Sequence, residues 1–169
     1  MRVRRRLSLF GHRTLPLGPR RTFLQCARCG RTFSARALAN GAASEDEKAV
    51  QALVAAVVMA DSRIRPREMD AARRVLEQHG GLPLQPNDLA DELHRLRRTI
   101  PEPLHYLVGV APLLADAGKL RIVQAVYQVC AADDELHPAE TRFIRAVGET
   151  LDLSPMRVRE AMRSARQDR

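Results

Sequence analysis

The residues of this chain best suited to chemistry are carboxylates, and they come in two matching sets. Asp61 and Glu68 lie in Ala60-Asp61-Ser62-Arg63-Ile64-Arg65-Pro66-Arg67-Glu68. Asp133, Asp134 and Glu140 lie in Ala132-Asp133-Asp134-Glu135-Leu136-His137-Pro138-Ala139-Glu140. The stretches align without a gap, 72 residues apart, and share Ala-Asp, an aliphatic residue three positions after the Asp, and Pro and Glu two apart. Pro is a favoured first helical residue, so Glu68 and Glu140 stand at the third helical position, turned back toward the acidic turn. A hard divalent cation such as calcium or magnesium takes several oxygen ligands, and turn carbonyls can add to the carboxylates. The second set is better equipped, because Glu135 adds another acid. In the first, Arg63, Arg65 and Arg67 oppose a cation. The same residues also have a purely structural use. A Glu at the third helical position caps backbone amides and favours the helix dipole, and an Asp after a helix is an ordinary turn residue. Neither turn has the twelve-residue ligand spacing of an EF-hand loop.

Cys26-Ala27-Arg28-Cys29-Gly30 is a second chelating pattern. Two Cys on a tight turn can hold zinc, and the Gly that follows permits a left-handed backbone. The flanking Thr22-Phe23 and Thr32-Phe33 read as strands, whereas a thioredoxin-like redox motif would open a helix. Zinc takes four ligands in a tetrahedron, so Cys26 and Cys29 make half a site. Cys130 falls on the inner face of a helical pattern and reads as core, and His12 is a further candidate ligand. The missing half is expected upstream of Met1, in a degenerate knuckle, or on a second chain. Around this pattern the charge is one-sided. Residues 1–43 hold ten Arg and no acid, a charge of +10, whereas residues 44–169 hold 18 Lys and Arg against 20 Asp and Glu, a charge of −2. Arg4, Arg5, Arg6, Arg20 and Arg21 can therefore meet nucleic acid or an anionic membrane surface, or simply be solvated.

The elements that must position these groups are helices. Asn40-Gly41-Ala42-Ala43 reads as a linker over 37–43, separating an incomplete zinc-ribbon-like segment (1–36) from a helical domain (44–169). Ser44-Glu45-Asp46-Glu47 reads as a capping box. From there apolar spacing predicts an all-α bundle of about seven helices, built from two related helix–acidic turn–helix units. The first runs to about Ala60 with Val50, Leu53, Val54, Val57 and Val58 inward. The second opens at Pro66 and stops at Gly80-Gly81. A third covers about 87–98, a fourth follows Pro101-Glu102-Pro103 through Leu114, and a fifth runs from Gly118 to Ala132. The sixth opens at Pro138, and the last is capped by Ser154. Met59, Met69, Met156 and Met162 sit at core spacing.

The pattern Ala-Asp-x-x-aliphatic-x-Pro-x-Glu, twice, each between apolar helices, resembles the TerB family of tellurite-resistance proteins and the related N-terminal domain of DjlA co-chaperones. The second copy is the closer match, with Phe143, Ile144 and Leu151-Asp152-Leu153-Ser154 following it. The resemblance covers about residues 44–167. That family usually has Gly after the Asp, where this chain has Ser62 and Asp134. The resemblance implies a compact helical fold with two related halves, acidic residues suspected of binding divalent cations, and ties to stress responses and membrane-linked assemblies. It implies no enzymatic reaction. Upstream, Arg4-Arg5-Arg6-Leu7-Ser8-Leu9-Phe10 and Leu15-Pro16-Leu17-Gly18, with the Cys pair, resemble the second half of a zinc ribbon.

Enzyme signatures are missing: there is no glycine-rich phosphate loop, no Gly-x-Ser-x-Gly elbow and no His-Glu-x-x-His helix. The longest apolar run, Leu53 to Ala60, is far short of the roughly 20 residues that span a bilayer. No apolar stretch follows the basic start, so a secretory signal is not expected. Three Cys do not make a disulfide framework, and a reducing cytoplasm is the expected setting. The function expected is that of a non-enzymatic binding or scaffold protein in a stress-linked or membrane-proximal assembly, with other proteins as partners and no small-molecule substrate. The rival is a nucleic-acid-binding protein that uses the Arg-rich segment.

Overall fold

The computed structural model describes residues 23–26, 31–34, 43–60, 65–80, 86–133 and 136–167. Among the described residues, seven α-helices follow a two-stranded hairpin: α1 Glu45–Val58, α2 Pro66–Gly80, α3 Pro86–Thr99, α4 Pro103–Val110, α5 Asp116–Cys130, α6 Pro138–Thr150 and α7 Pro155–Gln167. One turn of 3₁₀ helix, Ala111–Leu113, leads out of α4, and another, Ala131–Asp133, leads out of α5. Helix starts agree with the sequence where a Pro or a cap marks them. Ser44 Oγ accepts from Glu47 N–H, and Ser44 N–H donates to Glu47 Oε2 at 2.7 Å, so the predicted capping box is formed. Pro begins five of the seven helices, as expected where φ is already fixed and the missing N–H has no helical partner to lose.

The core is aliphatic, in keeping with an aromatic content of 4%. Helices α1 and α5, the first members of the two repeated units, pack against each other at its centre. Val50, Leu53, Val54 and Val58 are buried from α1, and Ile122, Val123, Val126 and Cys130 from α5. Helix α2 lies on α1, and α7 lies on α5. The expected burial of methionines fails at one position. Met59, Met69 and Met162 pack against the core, but Met156, in the first turn of α7, is 58% exposed. Helix α6 closes with Asp152 in the left-handed region (φ 56°) and Leu153 N–H bonded to the Gly148 carbonyl at 3.0 Å, a helix stop that Asp tolerates better than most residues.

The hairpin pairs β1 (Phe23–Gln25) with β2 (Thr32–Ser34) in antiparallel register, Leu24 opposite Phe33, and Cys26 N–H donates to the Arg31 carbonyl at 2.9 Å. These are the strands expected on either side of the Cys-x-x-Cys turn. The hairpin is seated on the helical body. Arg31 Nη1 donates to Glu47 Oε1 at 2.6 Å, and the buried Thr32 hydroxyl donates to the Leu113 carbonyl at 2.9 Å. Glu47 shares the first turn of α1 with two buried acids. Glu45 accepts from Lys48 and from the Tyr106 hydroxyl, and Asp46 Oδ2 accepts from Arg121 at 2.7 Å. Asp46 Oδ1 is buried without a hydrogen-bond partner among the described residues. Burial and the neighbouring carboxylate push the Tyr106 hydroxyl well above its ordinary range, so it stays a donor.

Candidate functional site

The two acidic turns, 72 residues apart in sequence, open onto one cleft. Its volume is about 800 Å³, and its wall includes Arg65 and Glu68 from the first turn with Asp133, His137 and Glu140 from the second. Ala56 and Val57 from α1, with Leu136 and Phe143, give it apolar lining as well, and Cys130 contributes from the end of α5. The sequence pattern treats the turns as two separate sites. The packing of α1 against α5 brings the ends of both helices together and makes the carboxylates neighbours.

Each Glu is first of all a cap. Glu140 Oε2 accepts from His137 N–H at 2.7 Å, and Glu68 Oε2 accepts from Arg65 N–H at 3.4 Å. His137 completes its own capping box, with Nδ1 accepting from Ala139 N–H at 3.3 Å. Each carboxylate keeps a second oxygen beyond these bonds, and a carboxylate oxygen can accept more than once. The turns are joined directly: Arg65 Nη1 donates to Asp133 Oδ2 at 2.5 Å. Arg65, which reads in the sequence as opposing any cation, thus supplies the positive charge that the second turn receives. Burial raises the Glu68 carboxyl above its ordinary range, against the Arg65 amide that lowers it. The charges of Asp133 and Glu140 push it further up, while the Arg65 guanidinium opposes them. Among the described residues, the cleft is lined by three carboxylates and one guanidinium.

Asp61 and Asp134 lie outside the described residues, as do Cys29 and Arg4, Arg5, Arg6, Arg20 and Arg21. Among the described residues, no three His, Cys, Asp or Glu side chains gather tightly enough to hold a metal ion. Glu68, Asp133 and Glu140 therefore share a cleft without forming a finished coordination site, and an incoming cation would have to take Asp133 from Arg65. Cys130 is buried, as its place on the inner face of α5 indicates, and that burial raises its thiol well above the ordinary range, with Glu140 and Glu68 adding to the effect. Such a thiol is protonated and unreactive. Its place on the cleft wall was not expected from sequence, since helical periodicity reports only that a residue faces inward.

The family model for tellurite resistance protein TerB matches residues 47–163, a span that contains both acidic turns and all of the cleft. The chain belongs to the TerB family. No curated protein and no solved structure matches it. The match begins inside the capping box and ends in the last helix, and the hairpin lies ahead of it. No helix among the described residues of this TerB protein is long and apolar enough to cross a membrane.

Proposed function

We propose that this TerB-family chain is a non-enzymatic binding module of tellurite-resistance type, that the joined acidic turns are its recognition site, and that a divalent cation is the ligand. One observation carries this reading: carboxylates from both repeated turns, Glu68, Asp133 and Glu140, line a single cleft whose positive partner among them is Arg65. Calcium or magnesium would be held by these three, and it would supply the double positive charge that the cleft lacks. The residues themselves do the rest. Glu68 and Glu140 fix the helix starts, so their outer oxygens are held in place by the same bonds that cap α2 and α6. Arg65 neutralises Asp133 in the cation's absence. The Cys130 thiol on the cleft wall is buried and protonated, and the module is read as one that binds and presents.

The test is a calorimetric titration of the full chain with calcium, magnesium and manganese, with Glu68→Gln/Glu140→Gln as comparison. Gln keeps the capping bond and removes the charge. Saturable binding that is lost in the double variant supports the reading. Equal binding, or none in either protein, leaves the carboxylates as caps and ends it.

A further inference from the structure

Among the described residues, α7 adds none to the cleft wall, and its outer face has a chemistry of its own. The helix turns Val158, Ala161 and Ala165 into the body, where it lies on α5. Outside, it carries Arg159, Arg163 and Arg166, all exposed, with Met156 one turn before them at 58% exposure. At 3.6 residues per turn the three arginines fall within about 60° of one another and span about 10 Å of the axis. Arg157, to one side, donates to Asp116 Oδ2 at 2.9 Å, and Arg163 Nε donates to the Arg159 carbonyl at 3.4 Å. None of Arg159, Arg163 and Arg166 pairs with a carboxylate among the described residues. We propose that this arginine stripe is a docking surface for the phosphate backbone of a nucleic acid, bound without regard to base sequence and independently of the cleft.

Fold stability does not account for the stripe. Like charges three and four residues apart on a helix repel, and Arg159 with Arg163, then Arg163 with Arg166, are two such pairs. The helix dipole favours a cation in the last turn, as at Arg166, but gives nothing to Arg159 in the second turn. An anionic partner converts the repulsion into attraction. Helix α7 carries four Arg and one Glu, a charge of +3, on a body whose residues 44–169 sum to −2, so the positive charge is local. All of it is Arg, whose planar fork can meet two phosphate oxygens at once. A DNA strand places a phosphate about every 3.4 Å of its axis, so a stripe of this length faces about three of them. Lipid is a poorer match. A membrane-surface helix sinks an apolar face among the acyl chains, whereas the apolar face of α7 is already packed on the body, leaving Met156 alone outside.

The test is fluorescence anisotropy of a short labelled DNA duplex of mixed sequence with the full chain, between about 50 and about 200 mM salt. Each phosphate contact contributes about 0.9 to the slope of log affinity against log salt, so Arg159→Gln/Arg163→Gln/Arg166→Gln should flatten that slope by about 2.7. Over this range the wild-type affinity should then fall by a factor about 40 times larger than the variant's. Gln is nearly as good a helix former as Arg, so the melting temperature should hold or rise slightly. Lys at the same three positions should keep the slope. Arg74→Gln/Arg97→Gln/Arg98→Gln removes the same charge from exposed sites on α2 and α3 and should leave the slope near wild type. Residues 1–43 are present in every form, so a difference between the two Gln variants belongs to the stripe. A slope that the stripe variant leaves unmoved, that both Gln variants change equally, or that the Lys form loses overturns the proposal, as does a wild type that does not bind the duplex. Anionic phosphatidylserine vesicles bound by wild type and released by the stripe variant, with the duplex slope unmoved, would overturn it in favour of a membrane.

Discussion

Replacing Arg65 by Ala isolates what the guanidinium does in the cleft. Its ion pair with Asp133 is partly open to solvent, with the Arg65 side chain 57% exposed, so its contribution to stability should be small, about 0.2–1 kcal/mol. A divalent cation that takes Asp133 must overcome the same amount, which corresponds to roughly 1.4- to 5-fold in affinity at 1.4 kcal/mol per decade. Removing the positive charge adds a further effect. A doubly charged ion and a unit charge about 8 Å apart in water repel by about 1 kcal/mol, a further factor of roughly five. Arg65→Ala should therefore bind calcium or magnesium about tenfold more tightly at low salt, with its melting temperature nearly unchanged. The bond from Arg65 N–H to Glu68 survives, because it uses the backbone. Calorimetry on wild type, Arg65→Ala, Asp133→Asn and the double variant gives the assay. In the Asp133→Asn background the gain should shrink to the charge effect alone. If Arg65→Ala binds no more tightly than wild type, Arg65 is not holding the cation's place and the account of the cleft is wrong.

Other perturbations follow from the packing. A Cβ added at Gly148 would lie 2.5 Å from Val158 Cγ2 where α6 meets α7. Gly148→Ala should therefore destabilise by about 1 kcal/mol, an overpacking cost of roughly 1–3 kcal/mol partly offset by about 1 kcal/mol of helix propensity. Val158→Ala in the same chain should relieve the clash, measured as non-additivity in denaturant unfolding. Asp46→Ala removes the carboxylate that pairs with Arg121, in a bridge where Asp46 is 4% and Arg121 26% exposed, and should cost about 1–3 kcal/mol, between an exposed and a fully buried pair. A loss below about 1 kcal/mol would show that pair to be no more than a surface bridge. His79 is held below the ordinary imidazole range by burial, with Arg121 and Arg31 acting the same way and Glu47 and Asp46 opposing. The folded state then binds fewer protons than the unfolded chain in the window below about pH 6.5, so stability should fall as pH drops through it. Denaturation midpoints across that window should show this slope, and His79→Gln should flatten it.

Much of the fold is legible in the sequence because its signals are local. Ser44 with Glu47, Pro66, Pro138 and Ser154 each announce a helix start within four residues, and the apolar spacing of α1 and α5 names the side chains that fill the core. The site is less legible because what makes it is long-range. The repeat shows that the turns are alike, but likeness says nothing of adjacency, and only the packing of α1 on α5 brings Glu68 to Glu140 and Arg65 to Asp133. The run Glu45-Asp46-Glu47 misleads in the same way. It has the composition of a solvated helix start, yet Glu45 and Asp46 are buried against Tyr106 and Arg121, 61 and 75 residues away. Met156 fails for the opposite reason: it keeps helical spacing, but α7 turns its first residues outward.

The duplication also gives the cleft a direction. Position for position, Arg65 in the first turn corresponds to His137 in the second, each directly before its Pro, just as Glu68 corresponds to Glu140. The cleft is thus lined by two copies of one part, with the matching carboxylates on its wall and the residue before Pro differing between them. One copy presents a guanidinium, charged at every accessible pH and already reaching across to the opposite turn. The other presents an imidazole whose Nδ1 is spent on its own helix. Arg65 reaches across to the second turn while His137 turns its Nδ1 back on its own helix, so the duplicated parts do not make a symmetric cleft.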